Sequence, residues 1–380
     1  MHAVALRMLT GDRAKYLGLV IGIAFATLLM SQQVSIFIGL MSRTASQILD
    51  VGEAQVWVMD PRVQYVDEIE PLTDTALDRV RGVPGVAWAE PFYKGLTVAR
   101  ATDGVLQQVI LMGVADASLA GAPRAMVMGD PRDLRQPDAM IIDRAGFMFI
   151  WPGEPLQLGK VLELNDRRAV IVGIAESSPP FTTFPVVYTR YSDAMGFIGQ
   201  QRKQMSFVIA RAEDGTDPAA LARRITEQTG LKAMTRLDFA WATVDYYIAR
   251  TGIPVNFGIT VALGFLVGAA IAGQTFFLFV VENQKQFAAL KAMGVSGMRI
   301  VGMVLLQGLV VALVGYGLGI GACALFFETT GRASINLRGF MLHPEVMAGT
   351  AVAVLVIVML ASLASIRRVL TVDPATVFRG

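Results

Sequence analysis

The stretch Val280–Gly302, VVENQKQFAALKAMGVSGMRIVG, lies between two long apolar segments and decides how the rest of the chain is laid out. Residues 253–281 before it and 300–327 after it contain no Asp, Glu, Lys or Arg. A helix needs about 20 apolar residues to cross ~30 Å of hydrocarbon. A charge at its centre would cost roughly 2.5–3.5 kcal/mol on insertion scales. Both segments meet that standard, as do residues 17–40 and 346–366. The quoted stretch is therefore a short polar connector, residues 282–299, between the second and third of four transmembrane helices.

Composition agrees. The 380 residues are 54% hydrophobic and 17% charged, against about 25% charged in a soluble domain, and mean hydropathy is +0.52. A net charge of +2 gives no reason to invoke nucleic acid. The single cysteine, Cys323, falls inside an apolar run, so no intrachain disulfide or cysteine metal site is available. His2 and His343 are far apart in sequence, which argues against a histidine metal centre.

The first apolar run follows Arg7, Arg13 and Lys15, as a signal peptide would. Its core exceeds the ~7–15 residues of a signal h-region, and no A-x-A site follows, so it reads as a retained span. Basic residues set the orientation. Arg7, Arg13 and Lys15, then Lys285, Lys291 and Arg299, then Arg367, Arg368 and Arg379 all fall on one side of a four-span layout. That side is the cytoplasm by the positive-inside rule, and both termini lie there. The expected order is a cytoplasmic amphipathic segment 1–16, a first span 17–40, an extracytoplasmic domain 42–251, and a second span 253–281. The connector 282–299, a third span 300–327, an outer loop 328–345, a fourth span 346–366 and a cytoplasmic tail 367–380 follow.

The outer domain reads as α+β. AQVWVMD, GVAWAEPFYKGLTVA, LQQVILMGV, RAVIVGIAE and QMSFVIAR are strand-like runs bounded by turn formers. TDTALDRVRGV reads as a helix capped by Thr73 or Asp74. TDPAALARRITEQTG reads as another, with Asp217 as cap, Pro218 in the first turn and Gly230 at the stop. Residues 236–251, RLDFAWATVDYYIART, form a stalk helix leading into the second span. Asp130, Asp133, Asp138 and Asp143 lack the spacing of an EF-hand loop and read as a polar loop. No G-x-S-x-G, H-E-x-x-H or outer cysteine supports hydrolysis.

Within the spans, Gly264 and Gly268, Gly315 and Gly319, and Gly317 and Gly321 are spaced G-x-x-x-G. Such pairs let helix backbones approach closely, within a subunit or across a dimer. The plainer reading is that glycine is common in transmembrane helices. Gln32, Gln33 and Asn256 near the outer leaflet read as interhelical hydrogen-bond partners or, alternatively, as a substrate or gating face. Carboxylates are absent from the spans, which argues against a proton- or sodium-driven transporter. In the connector, Phe287, Leu290 and Met293 recur at spacings of three, with Gly294 placed to end that helix and Ser296 to cap the next. By itself this describes an amphipathic connector at the membrane surface.

The ordered features are one span, a large outer domain, three spans, ALKAMGVS after the second span and VDPATVFRG at the C-terminus. They resemble the permease subunits of the MacB/LolC/FtsX superfamily of ABC transporters, most of all the DevC-type exporter permeases. GIAFATLLMSQQ, the run WATVDYYIARTGIPVNFGITVALGFLVGAAIAGQTFF and VENQKQFAALKAMG carry the same resemblance. It implies a type VII ABC transporter fold in a bacterial inner membrane, with the large domain in the periplasm. It also implies that the connector is a coupling helix docked on a separate ATPase. Glu282, Lys285, Phe287, Leu290, Lys291, Met293 and Gly294 would then form the transmission surface. This chain has no G-x-x-x-x-G-K-[ST], so ATP and Mg2+ would be bound by the partner, and no cofactor is expected in this chain. The implied unit is two permeases, a homodimer, with two ATPases, a periplasmic adaptor and an outer-membrane channel. The stroke would be mechanotransmission, driving export of an amphiphilic lipid, drug or peptide. LolC-like lipoprotein release, FtsX-like activation of a cell-wall hydrolase and a simple membrane sensor are the alternatives.

Overall fold

The computed structural model describes residues 2–101, 104–198, 204–333 and 340–370. The outer part of the expected loop 328–345, including Arg338, and the tail from residue 371, including VDPATVFRG and Arg379, lie outside the described residues. The chain divides into a membrane unit, Met1–Gly39 with Gly252–Gly380, and an outer unit, Leu40–Thr251.

Helix α1 (His2–Gly11) leads into α2 (Arg13–Thr44), with Asp12 at the joint. The Asp12 carboxylate accepts from the Lys15 backbone N–H at 3.2 Å and so caps the new helix. The outer unit then runs α3 (Ser46–Asp50), β1 (Val56–Met59), α4 (Asp74–Arg81), β2 (Val86–Arg100), β3 (Leu106–Val114), β4 (Met126–Met128) and β5 (Ala139–Asp143). It continues through α5 (Arg144–Ile150), β6 (Val161–Leu164), β7 (Arg167–Ala175), β8 (Val186–Arg190), α6 (Tyr191–Phe197), β9 (Phe207–Ala212), α7 (Pro218–Thr229), β10 (Lys232–Thr235) and α8 (Arg236–Arg250).

These strands form a mixed sheet in the order β10-β1-β9-β2-β3-β8-β5-β7-β4, with β6 pairing both β2 and β7. The pairs β3–β8 and β5–β7 are parallel, and the others are antiparallel. The 15-residue β2 joins two lobes. Its first half pairs β9 and its second half pairs β3 and β6. One core packs Val56, Val80, Val208, Leu221 and Ile225 under α4 and α7. The other packs Leu111, Ile142, Phe147, Ile171 and Phe197 under α5 and α6. The domain is α+β, as expected.

Local capping explains much of the layout. The Asp217 carboxylate accepts from the Ala219 and Ala220 N–H groups, and Gly230 ends α7 with φ 68. Asp130 and Asp133 cap a 3-10 turn, Pro131–Arg135, reciprocally. Asp143 accepts from Gly146 N at 3.1 Å and Val186 N at 2.7 Å. These carboxylates are occupied with backbone donors. On the sheet face opposite α4 and α7, Trp57 meets Phe92 and Phe207 edge-on at 5.5 and 5.3 Å and Phe239 of α8 at 5.8 Å. That aromatic cluster seats α8 on the sheet.

The chain returns as α9 (Ile253–Glu282), α10 (Gln284–Ala292), α11 (Gly297–Ala333) and α12 (Pro344–Leu370). With α2, the helices α9, α11 and α12 are long and apolar enough to cross a membrane. Their shared core includes Ile23, Ala26, Phe276, Val311, Ala312 and Ile357.

Small residues set how closely α2 is approached. A Cβ on Gly268 would stand 2.5 Å from the Ala26 Cβ, and one on Gly319 would stand 2.5 Å from the Ala24 carbonyl oxygen. Gly264 faces Leu29 and Met30, and Gly315 faces Ile23. These two pairs pack α9 and α11 onto α2. Gly317 and Gly321 have nothing within 4 Å of an added Cβ, so among the described residues they face open space.

Candidate functional site

The connector is a tight elbow. At the end of α9 the Asn283 side-chain amide donates to the Phe279 carbonyl at 2.8 Å. After α10 the chain reverses at Gly294, whose φ of 85 favours glycine. Gly294 N–H donates to Lys291 O at 2.9 Å and Val295 N–H to Leu290 O at 3.1 Å, which satisfies the last carbonyls of the helix.

Phe287 is fully buried with Phe279, Val280, Ile300 and Val304, and Leu290 packs partly buried at the edge of this cluster. The expectation that Phe287 lies on an exposed face with Leu290 and Met293 is thereby corrected for Phe287 alone. A benzyl group in the protein's own core cannot also fill a groove on a partner. Phe287 instead pins α10 to the ends of α9 and α11. Of the three, only Met293 is fully exposed, at 72%, and it is joined by Met298 at 76%. Lys285, Gly294, Ser296 and Arg299 are exposed with them, while Lys291 is half-buried. Met298 and Arg299 were missed because they follow the Gly294 turn and share no helical period with Phe287.

Glu282 is also committed. It forms an ion pair with Lys15, which contacts Asp12 at 2.7 Å. The Lys15 side chain holds the Asp12 carboxyl below its ordinary range. Nearby, buried Gln307 donates from Nε2 to the Ala5 carbonyl at 2.8 Å, and Ala5 and Leu9 are buried. The base of α9, the joint before α2, α1 and the lower part of α11 are thus tied together around the connector.

The other expected positions are more dispersed. Gln32 and Gln33 are half-buried on α2, and Asn256 is exposed in the first turn of α9. A cavity of about 280 Å³ among α2, α9 and α12 is lined by Met30, Val34, Ile38, Val261, Val346 and Thr350 among others, and by none of those three.

The chain is thus a four-span membrane helical unit with a large α+β outer domain and a short, braced connector. Residues 16–228 match the MacB-like periplasmic core domain, and residues 258–374 match the FtsX-like permease C-terminal region. The chain belongs to the MacB/FtsX superfamily of ABC transporter permeases, with the type VII fold, and lies in the bacterial inner membrane with its outer domain in the periplasm. An uncharacterised ABC transporter permease of Mycobacterium tuberculosis strain H37Rv is 25% identical over 316 residues, covering 82% of this chain and 80% of its own. A second, from Mycobacterium bovis, is 26% identical over 317 residues with the same coverage, 82% and 80%. Among solved structures, the periplasmic region of MacB from Actinobacillus actinomycetemcomitans is 14% identical with a TM-score of 0.38, covering 54% of this chain and 96% of that one. An ABC permease implies an ATPase partner.

Proposed function

We propose that this chain is the permease of an ABC exporter, converting ATP hydrolysis by a separate ATPase into movement of the periplasmic domain. The carrying observation is the exposed tip Met293, Gly294, Met298 and Arg299 on an elbow braced from within by Phe287. Two exposed methionines flanked by Lys285 and Arg299 suit a partner groove with an apolar floor and an acidic rim. Because Phe287 locks α10 to α9 and α11, a push on the tip is transmitted to both helices instead of bending the loop. Chain continuity carries it onward, since α9 begins at Ile253 and α8 ends at Arg250.

In this reading ATP and Mg2+ are bound by two ATPase subunits, and two permease copies form the membrane unit. The cargo is an amphiphile taken from the periplasmic side, and a periplasmic adaptor with an outer-membrane channel receives it. The test is purification of the tagged chain from gently solubilised native membranes, with every companion chain identified. An ATPase together with an adaptor is expected. An ATPase without an adaptor would remove the export reading in favour of lipoprotein release or hydrolase control.

A further inference from the structure

A cavity of about 510 Å³ in the outer domain lies among the segment before α4, β2, the loop after β7 and the last turns of α8. Its apolar lining includes Ile69, Pro71, Tyr93, Leu96, Ile110 and Phe181. Leu96 is 48% and Ile69 37% exposed, so both sit at a mouth open to solvent. The rest of the wall is polar, from Asp67, Lys94, Thr182, Gln204, Ser206 and Tyr247, and a cavity of this size with apolar and polar walls suits a small amphiphilic molecule.

One polar group in that wall is unusual. Lys94 is 4% exposed, donates to the Val66 carbonyl at 3.2 Å and pairs with Asp67. Burial pushes its ammonium down from the ordinary lysine value, and Asp67 opposes that. The other Asp67 oxygen accepts from the Tyr247 hydroxyl at 3.1 Å. Ser206, also in the wall, is spent on the Lys94 backbone, accepting from its N–H at 3.0 Å and donating to its carbonyl at 2.9 Å.

Donor and acceptor counts give the ligand its polarity. An ammonium has three donors, and Val66 and Asp67 take two. The Asp67 carboxylate already faces a cation and a hydroxyl. Lys94 lines the cavity, and one donor of its ammonium has no partner among the described residues. We infer that this cavity binds an amphiphile whose apolar chain lies along Ile69, Leu96, Ile110 and Phe181 and whose acceptor oxygen, of a carboxylate or an ester, meets Lys94.

The floor links occupancy to the stalk. Tyr247 belongs to α8, packs on Phe181 at 4.8 Å and on Tyr65 at 5.6 Å, and Tyr65 stacks on Tyr246 at 4.0 Å. A ligand oxygen that draws Lys94 toward itself loosens its hold on Asp67 and leaves that carboxylate more fully to the Tyr247 hydroxyl of α8. That this ligand is the cargo rests on the export reading, whereas its binding does not.

The experiment uses the full chain in phosphatidylcholine nanodiscs with a diazirine-bearing dodecanoic acid, light and peptide mapping. Labelling is expected at Tyr93, Leu96, Phe181 or Tyr247, in addition to the lipid-facing spans. Dodecanoic acid and monododecanoylglycerol should compete, with dodecylamine weaker by about tenfold, the worth of one charge-assisted hydrogen bond. Ile69→Trp fills the mouth without touching a buried group and should reduce outer-domain labelling to background while span labelling persists. Lys94→Met should remove the preference for acid over amine. Labelling confined to the spans, an Ile69→Trp chain labelled like the parent, or equal competition by dodecylamine would each overturn the assignment. Labelling at the cavity in a chain that recruits no ATPase would leave the site standing and remove only its role in export.

Discussion

Phe287, Leu290 and Met293 share a helical spacing, yet they face three different environments: core, edge and solvent. Spacing reports that residues lie on one side of a helix, but it does not say what covers that side. The covering comes from Phe279, Ile300 and Val304, which reach the same place from neighbouring helices. Phe287→Ala should therefore destabilise the membrane unit by roughly 3–5 kcal/mol, as large-to-small changes at buried aromatics do. Met293→Ala should stay within about 0.5 kcal/mol. Thermal unfolding of the solubilised chain, together with protease cutting in the connector, separates the two. Equal effects at both positions would contradict the bracing role. Phe287→Asp is accordingly unsuitable as a probe of docking, since it would bury a charge and unfold the elbow.

At the scale of elements, α2 is the post against which α9 and α11 close. Gly315, Gly317, Gly319 and Gly321 read alike in the sequence, but positions two apart on a helix differ by about 200° in direction. Only Gly315 and Gly319 meet α2, and only the fold reveals which stripe does so. Gly319→Ala should cost about 1–3 kcal/mol by overpacking. Gly317→Ala should leave the stability of the single chain unchanged. A dimer built on the second stripe would show itself as Gly317→Ala weakening association, measured by particle mass in detergent, with unfolding unaltered. Other elements were legible from residues alone. Asp217, Pro218 and Gly230 announce both ends of α7, because caps act within a few residues. The five-residue β5 and β8 were not anticipated. They are buried almost throughout and lack the alternation that marks a half-exposed strand. The aspartates around them were visible, but their work as caps on Gly146, Val186 and Arg132 depends on turns that only the fold supplies.

For the whole molecule, four uncharged apolar runs and the basic residues between them carried the membrane layout, since hydrocarbon penalises charge strongly. The outer domain was legible as α+β but not as two lobes sharing β2, because pairing over long sequence separation leaves no local trace. In the proposed function the connector tip is where a separate ATPase takes hold. Cys323 is the sole cysteine, so a Cys323→Ser background carrying Met298→Cys offers one thiol at the tip, and Ser118→Cys offers one on the exposed outer domain. With a thiol-linked photocrosslinker in native membranes, a covalent product is expected between Met298→Cys and an ATPase subunit, and none from Ser118→Cys. An ATPase that co-purifies but is captured from Ser118→Cys and not from Met298→Cys would contradict it.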